Sequence, residues 1–424
     1  MIVVKIGGKI MFNNVYPREK YLKKIRPFYD SDIIKVITSI RRCGKSFILK
    51  AIMNELIDRG IPKTQIIYIP LDRRGYKNIK TSEELETKIE SMLGDDENYY
   101  LFIDEVQNVF GFESVIHAYA EEGYSIFLTG SNSYLLSDEI STKLTGRYLN
   151  FETFTLDFSE YLEMKRFFKK KIDQDIYVEF EEYILNGGFP KTIEFDDIQA
   201  RQTYTRGIIS EIFEKDVKTR KRISNVPVYE RVQSFLLNNY SAPFSLSNLL
   251  ECLEKEGYKT KATTVRGYIE DLKKAKIIYE CNRFDLKSKK SLRREQKYYL
   301  SDLAIYFAMN TDNRLSYGPS LENMVYLYLA SQDYQISIGK IGKLECDFIT
   351  RNTSGDYAYI QVTYTMQGED IKATERIKER EYRPFRKIRD GYPRYIVSLD
   401  RFRDQQEGVH HINAIDLFLG QEKI

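Results

Sequence analysis

The stretch VITSIRRCGKSFIL, residues 36–49, sets the tightest limit on how this chain can fold. A β-branched apolar run, DIIKVIT (32–38), precedes Gly44-Lys45-Ser46, and an amphipathic run follows it. In that run Ile48, Ile52 and Leu56 recur at helical spacing, and Gly60 marks the stop. A buried strand, a glycine-bearing loop and a helix, in that order, make a phosphate cradle. Backbone N–H groups and the positive end of the helix face the anion. The usual pattern is G-x-x-x-x-G-K-[S/T], and here the first glycine is Ser39. If that position needs a positive φ, serine costs about 1–2 kcal/mol. The cradling amides come mostly from residues 41–46 and survive the change. Arg42, Cys43, Gly44, Lys45, Ser46 and Phe47 are therefore the expected nucleotide contacts. Lys45 would reach the β and γ phosphates, and the Ser46 hydroxyl would bind Mg²⁺. Cys43 stands beside Arg42 and Lys45 at a helix start, which predicts a lowered thiol pKa and sensitivity of ATP binding to oxidation.

The next hundred residues alternate strand and helix. QIIYIPLD (65–72), YYLFIDE (99–105) and YSIFLTGSN (124–132) read as strands, and SEELETKIESMLG (82–94) as a helix capped by Ser82. This alternation predicts a mostly parallel sheet with helices on both faces and ligands beyond its carboxyl ends. The chemistry-bearing residues fall at those ends. Asp104 would hold Mg²⁺, and Glu105 would orient and deprotonate an attacking water. Thr129, Ser131 and Asn132 end the neighbouring strand, within reach of a γ-phosphate or its water. Arg147, after Gly146, is a candidate for stabilising phosphate charge at another subunit's nucleotide.

Composition excludes several classes. At 424 residues the chain exceeds one ordinary core and predicts two to four domains. The 65 basic and 62 acidic residues nearly cancel, so any nucleic-acid surface must be local. Cys43, Cys252, Cys281 and Cys346 are scattered, which fits reduced thiols of a cytoplasmic protein rather than a zinc site or disulfide framework. His410 and His411, beside a lone His117, read as an exposed strand end rather than a metal site. No signal peptide or membrane span is expected.

Further along, FSEYLEMKRFFKKK, YVEFEEYILNGG and RQTYTRGIISEIFEKDVKTRKR are helical by pattern. Three short helices then fill 228–278, followed by strands IIYECNRFD and QKYYLSD joined by LKSKKSLRRE. Three helices and a two-stranded wing predict a winged helix. From Asp285 to Lys297 there are six basic residues and two acidic ones. Lys287, Lys289, Lys290, Arg293 and Arg294 on the wing, with Lys261 and Arg266 on the presumed recognition helix, are the candidate DNA contacts.

Taken together, ITSIRRCGKS, LFIDEVQNV, IFLTGSNSYLLSDEISTKLTGRY, FSEYL, ILNGGFP, EIFEKDVKTR, KYYLSDLAIYFA, LENMVYLYL, ECDFI, YIQVTY and YPRYIVSLD resemble a prokaryotic group of AAA-type P-loop ATPases. That group ends in a degenerate restriction-endonuclease-like domain. The resemblance runs from about Tyr21 to Leu419. It implies an α/β fold with an AAA core at 1–160, a helical lid at 161–225, a winged helix at 226–305 and a PD-(D/E)xK-like domain at 306–424. It also implies ATP and Mg²⁺ as ligands, and homo-oligomers. A PD-(D/E)xK site needs converging carboxylates and a lysine around a metal. Here Glu322 and Asp347 remain, but Gln361 takes the third place and Thr363 the lysine's. Lys340 and Lys343 are the nearby lysines, with no pattern that brings them in. Cleavage is therefore not expected there. The leading expectation is an ATPase that drives or gates a conformational change. The alternatives are a nucleotide-gated DNA-binding switch and an ATP-dependent nuclease.

Overall fold

Alternating side chains along four buried strands build the first part of the fold. A computed structural model describes residues 3–6, 9–96, 98–130, 146–218, 223, 225–288, 290–310, 317–403 and 405–424. The chain divides into two compact units, residues 1–153 and 154–424.

In the first unit a hairpin, β1 (Val3–Ile6) and β2 (Lys9–Phe12), precedes helix α1 (Glu19–Ile25). The central sheet contains β3 (Ile34–Thr38), β4 (Ile66–Pro70), β5 (Tyr100–Asp104), β6 (Ser125–Thr129) and β7 (Tyr148–Glu152). Their order is β4-β5-β6-β3-β7, and every neighbouring pair is parallel. Ile34, Val36, Leu101, Ile103, Ile126 and Leu128 face one core, shared with helices α3 (Ser82–Glu90) and α4 (Phe112–Glu121). Ile37, Phe102 and Phe127 face the other, shared with α1 and with helix α2 (Lys45–Asp58). Burying both faces explains why these strands read as continuous apolar runs. Each large apolar side chain so buried contributes about 1.5–3 kcal/mol. The cap of α3 is Thr81 rather than Ser82: its hydroxyl accepts from Glu84 N at 3.4 Å, and Glu84 reaches back to Thr81 N at 3.2 Å. Extended backbone at Thr81 makes this reciprocal pair possible.

The second unit holds a mixed sheet of seven strands. These are β8 (Ile278–Asp285), β9 (Lys290–Leu300), β10 (Gln335–Ile341), β11 (Leu344–Arg351), β12 (Tyr357–Val362), β13 (Arg394–Ser398) and β14 (His410–Asn413). Their order is β14-β13-β12-β11-β10-β8-β9. Three helices, Val226–Asn238, Leu246–Lys255 and Ala262–Lys274, lead into the β8–β9 hairpin. That hairpin shares its sheet with the strands that follow, because β8 pairs in parallel with β10. The expected boundary at 305/306 falls in helix Leu303–Met309, between strands of one continuous sheet. β9 also starts earlier than the sequence pattern implies, so Lys290 lies in a strand and not in a long wing loop.

The helical segment expected as a lid also packs within this unit. Helices Ile176–Asn186 and Ile198–Ile212 lie against Leu303–Met309, and Phe180 stacks on Phe418. The GGFP pair is where this packing is tightest. A Cβ on Gly188 would sit 2.1 Å from Leu156 O, and Gly188 N donates to Asp302 Oδ2 at 2.8 Å. Burial raises the Asp302 carboxyl to about 6 against the pull of the Ala304 and Gly188 N–H groups and the Thr155 hydroxyl. No helix among the described residues is long and apolar enough to cross a membrane.

Candidate functional site

The phosphate loop joins β3 to α2. Gly44 caps α2 with φ +101°, and Arg42 takes φ +67°. Ser39 is not among the positive-φ residues, so the strain expected there falls on Arg42 instead. Ser39 is buried, and its hydroxyl and carbonyl oxygens lie 3.3 and 3.4 Å from Lys45 Nζ. Lys45 is 7% exposed. Lys45 and Ser46 are first-turn residues, whose N–H groups have no acceptor within an α-helix. Phe47 is half exposed, and Lys50 Nζ lies 4.4 Å over its ring. Burial, then Arg73, lowers the Lys50 pKa, while Asp104 and Asp72 oppose them.

Cys43 does not match its expectation. It is fully buried, and burial raises its thiol pKa despite Arg18 and Lys45 nearby. Its partners are structural: Sγ lies 3.7 Å from Thr153 O, and Arg18 Nη1 reaches Cys43 O at 3.4 Å. Arg18 is itself buried and stacks on the Tyr21 ring, fastening α1 to the loop. Arg18 escaped the sequence reading because it lies 25 residues upstream and forms no motif.

Two strand spacings away, about 10 Å, β5 ends at Asp104. Between them β6 ends at Thr129, in register with Ile37. Thr129 Oγ1 donates to Asp104 Oδ1 and accepts from Glu105 N at 3.1 Å. Tyr68 OH donates to Asp104 Oδ2 at 3.2 Å. Burial, then Asp104, pushes the Tyr68 phenol well up, which keeps it a donor. Glu105 adopts φ +60°, a left-handed conformation that non-glycine residues rarely take and that often accompanies function. Its Oε2 accepts from Gln107 Nε2 at 2.5 Å. Tyr68 and Gln107 were not expected; the adjacency of Gln107 to the LFIDE run was the available signal.

Asn132 and Ser131 lie outside the described residues. Arg147 lies at the other end of the sheet: its carbonyl accepts from Ile34 N, at the start of β3, and its guanidinium meets His117 and Glu121. It is not brought to the nucleotide loop of its own chain.

In the second unit, Lys287, Lys290, Lys261 and Arg266 are exposed. Lys289 lies outside the described residues, and of Arg293 and Arg294 only the backbone is described. Lys297, counted with the basic wing, turns inward instead. It is 3% exposed and pairs with Glu322 and Glu345 beside Asp347. The cation near the expected PD-(D/E)xK residues is thus Lys297, not Lys340 or Lys343. Gln361 Oε1 accepts from Asp347 N at 2.9 Å, and Thr363 Oγ1 lies 3.4 Å from Arg380 Nη2. His410 is exposed as expected, but His411 is buried with Nε2 2.7 Å from Ser398 Oγ. Only His410 of β14 is exposed and the strand is buried from His411 to Asn413, which a pair of histidines does not reveal.

Residues 31–162 match the family of AAA domains, and residues 177–316 match a domain of unknown function, DUF8612. An uncharacterized protein of Haemophilus influenzae is 29% identical over 407 residues, spanning 95% of this chain and 98% of its own length. An uncharacterized protein of Methanocaldococcus jannaschii is 28% identical over 428 aligned positions, 97% of this chain and 93% of its own. A Walker-type ATPase of Pyrococcus abyssi shares the fold, with TM-score 0.50 and 18% identity over 70% of this chain and 97% of that one. Most of the first unit thus matches an AAA domain.

Proposed function

We propose that this chain binds ATP with Mg²⁺ at the carboxyl end of the five-stranded sheet and hydrolyses it to drive or gate a conformational change. The observation that carries this reading is the buried Asp104, held on both oxygens by Thr129 and Tyr68, two strands from the Lys45 loop. That donor set fits a nucleotide and its metal: loop amides and Lys45 for phosphate, Ser46 and Asp104 for Mg²⁺. Bound there, Mg²⁺ would offset phosphate charge. Glu105 would position and deprotonate the attacking water, with Asn132 assisting. Lys45→Ala is expected to abolish ATP binding. Glu105→Gln should bind ATP but lose about 10²–10⁴ in turnover. Turnover near wild type in Glu105→Gln would remove Glu105 as the base.

Arg147 is proposed to act at the nucleotide of a second copy. Its place at the amino end of β7 supports this, since it is remote from its own loop. Turnover per chain should then rise with protein concentration, and Arg147→Ala should lose that rise.

A second reading treats residues 226–305 as a winged helix and the remaining strands as a restriction-endonuclease-like scaffold, together a nucleotide-gated DNA-binding switch. It rests on exposed Lys287 and Lys290 at the hairpin tip and exposed Arg266 on helix Ala262–Lys274. DNA affinity should fall with salt and differ between ATP and ADP. Unchanged affinity after replacing Lys287, Lys289, Lys290, Arg293 and Arg294 with alanine would discard it.

A further inference from the structure

A site of the PD-(D/E)xK kind holds a metal among carboxylates, and the residues present here do not fit one. Among the described residues, no group of three or more His, Cys, Asp or Glu side chains is placed to hold a metal ion. Yet three carboxylates do gather. Lys297 Nζ stands 2.9 Å from Glu322 Oε1, 2.8 Å from Glu345 Oε1 and 4.0 Å from Asp347 Oδ1. We propose that Lys297 is the resident cation of this cluster, occupying the place a divalent metal would take and closing it to metal-dependent cleavage.

The chemistry of an ammonium suits the role. It is a compact point charge with three donors and can satisfy two carboxylates directly while facing a third. Its side chain is 4% exposed, and a buried cation persists only when paired. Burial opposes the charge on Lys297, but Glu322, Asp347 and Glu345 outweigh it and raise its pKa.

The surrounding groups are already committed. Tyr299 OH donates to Glu322 Oε1 at 2.7 Å, and Arg283 pairs with Glu345 Oε2. Val362 N donates to Asp347 Oδ2 at 2.8 Å. Gln361, at the third motif position, gives its Oε1 to Asp347 N and donates Nε2 to Glu381 at 3.0 Å. Burial pushes the Glu322 and Asp347 carboxyls up, and Lys297 only partly offsets it. Three carboxyls therefore share the Lys297 ammonium and the Arg283 guanidinium. Removing Lys297 would leave these buried oxygen donors without their nearest cation and able to regroup around a dication.

Terbium luminescence tests this in the full chain, because Tyr299 lies beside the cluster and can sensitise a bound lanthanide. Wild type should give no signal at this site. Lys297→Ala should give a saturable signal of one ion per chain, lost again in Lys297→Ala/Asp347→Asn. Lys297→Ala should also melt earlier than wild type and recover on adding Mn²⁺, whereas wild type should ignore Mn²⁺ in the transition of the second unit. If Lys297→Ala fails to fold, Lys297→Ala/Glu345→Gln removes one carboxylate with the ammonium and keeps Glu322 and Asp347 as ligands. Terbium binding to wild type that Asp347→Asn abolishes would overturn the proposal. So would a folded lysine variant that neither binds terbium nor is stabilised by Mn²⁺.

Discussion

The Thr129 hydroxyl donates to Asp104 Oδ1 while accepting from the backbone N–H of Glu105. One side chain on β6 therefore fixes both acids at the end of β5. Thr129→Val keeps the shape and removes the hydroxyl. A hydrogen bond to a charged group contributes about 1.5–3 kcal/mol, so turnover should fall about 10- to 100-fold. ATP affinity should change little, because the phosphate loop is untouched. Thr129→Ser should restore most of the rate. Steady-state ATPase assays beside fluorescent-nucleotide titrations separate the two effects, and an equal loss in both would contradict the assignment.

Ser39 holds Lys45 from below with its hydroxyl and carbonyl. Its backbone is not left-handed, so glycine there brings no relief of strain. Ser39→Gly should lower stability by about 0.4–1 kcal/mol through the unfolded chain. It should also free Lys45 for phosphate and tighten ATP binding by roughly 2- to 10-fold, the range of one hydrogen bond. Calorimetric titration and thermal melts of the variant give both numbers.

Thiol reactivity should follow exposure rather than sequence neighbourhood. Cys252 is exposed, whereas Cys43 is buried with a raised pKa. Iodoacetamide should therefore label Cys252 in the native protein and leave Cys43 unmodified until unfolding. Peptide mass spectrometry over time distinguishes them, and equal rates would refute the buried geometry.

Lys35 gives a pH dependence with a definite sign. It lies fully buried in β3, with Nζ 2.8 Å from Ser31 O and 2.9 Å from Ser125 Oγ. Burial lowers its pKa from 10.5 to about 7, against Asp30 and Asp32. Between those values the unfolded chain binds more protons than the folded one, so Lys35 makes stability rise with pH across that window. Below about pH 7 both states are protonated and its contribution stops changing. Lys35→Met should flatten the rise. Denaturant unfolding of both proteins at pH 7 and pH 9.5 measures the difference in slope.

Local patterns carried most of the first unit. DIIKVIT, LFIDE and YSIFLT read as strands because both their faces are buried, and GKS reads as a loop because its glycine needs φ +101°. What could not be read were partners distant in sequence. Arg18 reaches Cys43, and Tyr68 reaches Asp104, across gaps that no periodicity encodes. Lys297 was hidden differently. In KKSLRREQK it looks like one more solvated charge, and only strand phase turns it inward beside buried Tyr299. The thiol of Cys43 failed for a related reason. Nearby charge was legible, but the burial that outweighs it was not.

The β8–β9 hairpin bears on how this protein can be cut. Because β8 covers one side of β10, a fragment beginning at residue 306 would bare that edge of β10, leaving it paired with β11 alone. Open edges of that kind template pairing between molecules. The same cut would remove the ammonium of Lys297 from Glu322, Glu345 and Asp347. Such a fragment would be driven toward aggregates, while one that begins ahead of Val226 keeps the seven strands and their lysine together.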